Sequence, residues 1–445
     1  MIFSRLLFMV TVLVGCFFVW GNVLQAQDME SRRQLLPEEV VQQTIEYNFN
    51  LVEVRLDRDA ATARDAAGEA GMLPEVNLGM EQRYRLENTQ QRFANGDEQD
   101  VTGANSNQAS AFVELDWTFF DGLGMFARRE RLRLAAQQSR DALEAALNAE
   151  AEASLLAYYD FAAQYAQLAV LDANLRLSRR RLREARLRDS LGNGSGYESL
   201  LALSAYRTDS AARLEGEATL VALWSALNQA MGKPYQSWPR PVDTATLRSF
   251  PPQAELMDLV MQKNPRLAAA RKQRLTAEAS LRDARSDFWP ELGVRSGVDF
   301  SRSEAEAGFL ESQRSTGTYL LFSGSVPLYR GGQQRREVQL SQIERARAEN
   351  ELARTETALK NEVSGILDQY AAQRNRLQLE TDNLRIAQRT YTLAAKQYRL
   401  GLINGVQLDE AQRNLTQNRI RYKRLLFDLK QLEVQLLRRM GQLVG

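Results

Sequence analysis

The chain of 445 residues has no histidine, and its only cysteine is Cys16. The missing imidazole excludes histidine metal sites, Ser-His-Asp triads and histidine acid–base chemistry together. A single cysteine excludes an intrachain disulfide framework and a Cys-x-x-Cys motif. Excess charge of one sign is missing as well, since 57 Lys+Arg stand against 56 Asp+Glu. A strongly basic nucleic-acid surface is therefore not the default reading, and no nucleic-acid partner is expected. Charged residues make up 25% of the chain and the mean hydropathy is −0.41, which argues against an all-helical membrane protein.

One long apolar run exists, Leu6 to Trp20, after Arg5 and before a small residue at Ala26. It is shorter than the ~20 residues a spanning helix needs. A basic start, an apolar middle and a small residue at the cut make residues 1–26 a secretory signal peptide. Leu13-Val14-Gly15-Cys16 also matches a lipoprotein cleavage box, although Phe-Phe-Val-Trp follows where lipoproteins usually turn polar. Removal of Cys16 with the signal is the preferred reading, and a lipid anchor is the alternative. Either way the chain leaves the cytoplasm.

The sequence repeats itself once, and such repeats set the architecture. Asn48 aligns with Asn264, and Leu73-Pro74-Glu75 with Trp289-Pro290-Glu291, at an offset of 216. Gly122 aligns with Gly331, Leu191-Gly192 with Leu400-Gly401, Gly196 with Gly405, and Met231-Gly232 with Met440-Gly441, at an offset of 209. Repeat one is 27–232 and repeat two is 254–445. Residues 233–253 form a linker, an equatorial belt, that holds Pro234, Pro239, Pro241, Pro251 and Pro252, half of the ten prolines.

Each repeat reads as helix, strand pair, very long helix, tight turn, helix. Helical patterning covers 35–72. The period then changes to two: Val76, Leu78, Met80, Tyr84 and Leu86 alternate with polar residues, as do Ala111, Val113, Leu115, Trp117 and Phe119. The strand pairs fall in 75–120 and 290–328, with 87–108 read as a polar connection around Asn95-Gly96. Each strand is expected to span about ten to twelve residues, the length of a tilted transmembrane β-strand with apolar side chains out and polar ones in. Trp117, Phe119, Phe120, Trp289 and Tyr329 crowd the strand ends, where an aromatic girdle at the membrane interface would lie. Four strands cannot close a barrel, because about eight are needed. Several chains must then share one, and three chains would supply twelve strands.

Residues 123–190 and 332–399 contain no proline. Val363, Tyr370, Leu377, Leu384, Tyr391 and Tyr398 recur every seven residues, and Phe161, Leu168, Leu175 and Leu182 share their phase in repeat one. Sustained heptads mean coiled-coil packing. A helix of this size is about 100 Å long at 1.5 Å per residue. Turns follow at 191–196 and 400–405, with Gly192 and Gly401 where a C-cap glycine belongs. The return helices, 197–231 and 406–440, are half the outgoing length. They are expected to be extended end to end by other segments: 197–231 by 254–288, and 406–440 by 35–72.

This ordered set resembles the TolC-type outer-membrane channel family. It comprises the twofold repeat, the Leu/Trp-Pro-Glu entry into a strand, Pro-Leu-Tyr-x-Gly-Gly at 327–332, Tyr-Arg-Leu-Gly-Leu-x-x-Gly at 398–405, and Asp409-Glu410-Ala411-Gln412. The resemblance covers essentially the whole mature chain. It implies a mainly α fold with a small β part: a long antiparallel coiled-coil helical barrel in the periplasm, and four strands per chain in a trimeric, twelve-stranded outer-membrane β-barrel. It implies a homotrimer in outer-membrane lipid. Its partners would be a periplasmic adaptor (membrane fusion) protein and an inner-membrane pump of RND, ABC or MFS type, for drug or small-molecule efflux or type I protein secretion. It assigns adaptor docking to Leu191, Gly192, Gly196, Leu400, Gly401, Leu402 and Gly405. It places acids at the closed pore end, for which Glu198, Asp409 and Glu410 are the candidates, while Gln407 stands at a second acidic position. A first-turn acid that complements the helix dipole is the structural alternative for Glu198 and Glu410.

The competing function is a periplasmic coiled-coil scaffold or adaptor without a pore. An enzyme is not expected. No nucleophile–base pair, metal cluster or cofactor motif is visible, and Gly331-Gly332 lacks the rest of a phosphate loop.

Overall fold

The computed structural model describes residues 34–192, 196–242, 246–308 and 310–444. The proposed signal peptide and Cys16 lie outside the described residues. In chain order the elements are β1 (Gln34–Leu35), α1 (Pro37–Tyr47), α2 (Phe49–Arg64), β2 (Glu75–Arg92), β3 (Glu98–Asp121), α3 (Gly124–Ser190) and α4 (Gly196–Ala230). They continue as β4 (Arg240–Pro241), α5 (Gln253–Lys263), α6 (Pro265–Ser286), β5 (Glu291–Ala305), β6 (Ser312–Ser325), α7 (Gln333–Arg399) and α8 (Gly405–Arg439). Both long helices have 67 residues and both return helices 35, so the repeat holds at the level of single elements. Contacts divide the chain into a helical unit, which holds 142–267 and 355–445 together with the segment up to Leu56, and a sheet unit of 57–141 and 268–354.

In the sheet unit the order is β2-β3-β5-β6, every pair antiparallel. Val76 pairs with Leu115, Leu78 with Val113, Trp117 with Val294, Val113 with Val298, and Val294 with Phe322. Because side chains alternate, this register collects most of the apolar residues of the four strands on one face. The opposite face carries Glu114, Asp116 and Arg295. Two glycines there make room for rings: a Cβ at Gly79 would fall 2.3 Å from the Phe112 ring, and one at Gly297 would fall 2.9 Å from the Tyr319 hydroxyl. The strands are longer than the periodicity predicts, 18, 24, 15 and 14 residues. The polar segment 87–108 is not a loop: it extends β2 and β3 past a register shift at Glu87/Thr89 as a paired ribbon closed at Asn95-Gly96. Polar residues on both faces hid it, since a ribbon clear of a core needs no apolar alternation.

In the helical unit, side chains define the lateral order. Gln164 donates to Gly216 O (2.9 Å) and Arg213 pairs with Asp172 (3.0 Å), which places α4 on α3. Arg424 pairs with Asp160 and Arg181 with Asp409, both at 3.0 Å, which places α8 on the other side of α3. Ala394 packs against Leu408 and Ala411, and Arg419 donates to Gln388, which places α7 on α8. The order is α4–α3–α8–α7, so α4 and α7 are its two edges. The core clusters around Tyr158, Phe161, Leu220, Trp224, Leu227 and Met231. Heptad residues Phe161, Leu182, Val363 and Tyr370 are buried, and the rest of the series is half-buried.

The expected end-to-end partners are corrected. Asn48 breaks 35–72 into α1 and α2, and Asn264 separates α5 from α6 in the same way. Asn48 donates to Ala230 O (2.9 Å) while its Oδ1 accepts from Leu51 N (3.2 Å). Asn264 repeats this with Arg439 O (2.9 Å) and Leu267 N (3.1 Å). The aligned asparagines therefore splice α4 onto α2 and α8 onto α6, each return helix being extended from its own repeat. Gly232 and Gly441, with φ of 72° and 64°, let the chain ends approach: a Cβ would fall 2.3 Å from Tyr47 O in one repeat and 2.9 Å from Lys263 O in the other. The belt connects the repeats as a strap. β1 pairs in parallel with β4, and the Tyr158 hydroxyl lies 3.0 Å from Leu35 O and 3.2 Å from Val242 O.

Candidate functional site

The residues singled out in the sequence fall on two surfaces, one in each unit. On the sheet, the apolar face is exposed: Val76, Leu78, Met80, Phe300, Leu320 and Phe322 all point away from any core. That is an energetically costly surface in water, at ~25 cal/mol per Å² of apolar area. Trp117, Phe119, Trp289 and Tyr329 are exposed and Phe120 is half-buried, all at the strand ends nearest the helices. Trp117 meets Phe119 edge-on at 6.2 Å and donates its indole N–H to Met72 O at 3.1 Å. The opposite face is wired by charge. Arg295 Nε lies 2.8 Å from Asp116 and 3.7 Å from Glu114, which accepts a hydrogen bond from the Tyr319 hydroxyl. One face thus suits hydrocarbon and the other suits water and ions, the alternation a lipid-embedded barrel requires.

At the tip of the helical unit, Gly192 and Gly401 both have φ of 72°, and Leu402 N donates to Gln397 O (3.0 Å) beside Gly401 N to Tyr398 O (3.1 Å). Those bonds close the last carbonyls of α7 and throw Leu400 and Leu402 into solvent, with Leu191 exposed at the other turn. Gly196 and Gly405 begin the return helices. Asn404 and Gln407 form a reciprocal cap, with bonds of 3.0 and 3.1 Å, so Gln407 serves the helix start. Residues 193–195, the glycine-rich part of the first turn, lie outside the described residues.

The three candidate acids separate. Glu410 is exposed, and Glu198 is half-buried in the first turn of α4. Asp409 is held in an ion-pair network rather than standing as a free carboxylate. Arg181 reaches it from α3 at 3.0 Å and Arg413 from one turn along α8 at 2.6 Å. Arg181 also donates to Gln412 (3.1 Å) and to Gly405 O (3.1 Å), and Gln412 donates to Asn174 (2.6 Å). Nearby Asp209 has its carboxyl pKa raised, chiefly by burial, with Ser178, Arg181 and Arg413 opposing. Arg181 thus ties the α3–α4 hairpin to the α7–α8 hairpin. Sequence reading missed it because it is one of three consecutive arginines, and only the fold singles it out.

Among the described residues no group of three metal-ligating side chains occurs, and no helix is long and apolar enough to cross a membrane.

Residues 256–442, almost all of repeat two, match the outer membrane efflux protein family model. The fold is that of the TolC-type outer-membrane channels. The crystal structure of CusC, described by its conformational changes on folding and transmembrane channel formation, superposes with a TM-score of 0.74 at 15% identity over 91% of this chain and 92% of that one. A membrane protein from Pseudomonas aeruginosa gives 0.74 at 19% identity over 92% of both chains. The Campylobacter jejuni CmeC outer membrane channel gives 0.73 at 14% identity, covering 91% of this chain and 85% of its own. No curated protein matches the sequence. The expected mainly α TolC-type fold is borne out.

Proposed function

We propose that three copies of this chain form a passive conduit through the outer membrane with a tunnel in the periplasm. A periplasmic adaptor would couple it to an inner-membrane pump. The observation that carries this reading is the four-stranded sheet, with one apolar exposed face, one charged face and two unpaired edges, β2 and β6. An unpaired edge next to an apolar face is unstable in water and in lipid alike. Pairing β6 of one copy with β2 of the next removes every edge and gives twelve strands in a ring.

The helical unit supports the same closure independently. Leu379, Ile386, Leu393 and Leu400 are exposed at seven-residue spacing along edge helix α7 and its end, and Leu200 and Leu214 are exposed on edge helix α4. A heterologous contact of α7 with the α4 of the next copy closes a ring when the rotation is cyclic. Exposed Leu191, Leu400 and Leu402 offer the adaptor an apolar tip. The conduit itself holds no energy source, so the pump chooses the cargo, small molecules in efflux or proteins in secretion. The test is fractionation followed by detergent-corrected mass and planar-bilayer conductance. A conducting trimer from the outer-membrane fraction is the expected result. A soluble periplasmic monomer or dimer would overturn the channel and favour a scaffold.

A further inference from the structure

The sheet unit contains a cavity of about 780 Å³ between the start of α3 and the end of α6. Four arginines line it, Arg129 and Arg133 on one helix and Arg282 and Arg285 on the other, together with Phe126 and Trp289. Spacings of four and three residues put each pair on one helix face. Two nearby carboxylates on these helices are committed elsewhere: Asp283 takes Arg128 (3.0 Å) and Arg131 (3.5 Å), and Asp141 takes Lys272 (2.6 Å). Within the cavity Arg129 is matched by Asp65. Arg133, Arg282 and Arg285 are exposed, with no side-chain hydrogen bond or ion pair among the described residues. Four arginines against Asp65 and Glu130 leave the lining at +2.

The cavity also has a definite level. β3 ends at Asp121, just before α3, and β5 begins at Glu291, two residues after Trp289. Exposed Phe126 and Trp289 therefore stand where the apolar sheet face gives way to charged helices. We propose that this cavity binds the phosphate headgroup of an anionic glycerophospholipid, with its acyl chains against the sheet. Guanidinium groups match phosphate oxygens in bidentate fashion, and basic pockets flanked by interfacial aromatics suit such headgroups. The inference rests on the outer-membrane reading and adds to it a specific lipid.

The test uses the full-length protein purified in an uncharged detergent. Dioleoyl phosphatidylglycerol and dioleoyl phosphatidylcholine are titrated separately, and retained lipid is counted by native mass spectrometry. The expected result is at least tenfold tighter retention of phosphatidylglycerol, reduced to no preference in Arg133→Gln/Arg282→Gln/Arg285→Gln. Equal retention of the two lipids by the unaltered protein overturns the proposal, whether or not the variant folds, and so does an unchanged preference in a trimeric variant. Inorganic phosphate that binds as tightly as the lipid would show a soluble-anion site and overturn it too. A conducting trimer without lipid preference refutes this inference alone, whereas failure to form a membrane trimer refutes the channel reading.

Discussion

Helices α3 and α7 have equal length, equivalent positions and one heptad phase, yet they bury different things. α3 lies between α4 and α8, and it contributes Leu155, Tyr158, Tyr159 and Phe161 to the core. α7 touches α8 on one side and leaves Leu379, Ile386 and Leu393 exposed on the other. A duplicated sequence thus yields one helix covered on both sides within the chain and one covered on a single side. The sheet unit repeats the contrast, with β3 and β5 paired on both sides and β2 and β6 on one.

That contrast can be broken from either end. The largest effect is expected at the edge. Ile386→Asp with Leu393→Asp should abolish the trimer while each chain keeps its helical content, read by light scattering and circular dichroism. A trimer surviving with wild-type stability would remove α7 from the interface. Next comes the core: Phe161→Ala should cost about 3–5 kcal/mol of folding stability, the usual range for a buried aromatic, measured by denaturant unfolding. A smaller loss is expected where the hairpins are tied together. Arg181→Ala should cost about 1.5–3 kcal/mol, as for hydrogen bonds to charged groups, and Asp409→Asn less because Gln412 and Gly405 O still accept from Arg181. Equal losses in the two variants would mean that the ion pair alone carries the tie.

The smallest effect should be a change of slope with pH. Burial raises the Asp209 pKa in the folded chain above its unfolded value. The folded state therefore holds the proton more tightly, and stability falls as pH rises from the unfolded to the folded pKa. Asp209→Asn should flatten that part of the curve and raise the melting temperature at neutral pH. A melting temperature lowered at neutral pH would reverse the assigned sign.

Much of the fold was legible because long regular elements leave periodic traces. The heptads, the strand alternation and the turn glycines Gly192 and Gly401 each report a local geometry. The end-to-end partners were not legible. Continuity along the chain suggested that α4 runs on into the second repeat, whereas Asn48 and Gly232 splice it back onto α2. Asn48 was visible as a repeat marker, but a side-chain bond across 182 residues has no local signature. The paired ribbon beyond Leu86 was hidden because both its faces are polar. The tip turns could be placed from their glycines. The fate of Asp409 could not, since Arg181 reaches it from 228 residues away and nothing in either heptad marks the pair.

The central claim, that edge α7 meets edge α4 of the next copy, is tested most directly by a photo-crosslinking amino acid at position 386 in the membrane-embedded full-length protein. The account predicts a ladder ending at three chains, with crosslinked peptides joining α7 to the segment around Leu200 to Leu214. Crosslinks only within one chain, or between two copies of α7, would contradict it.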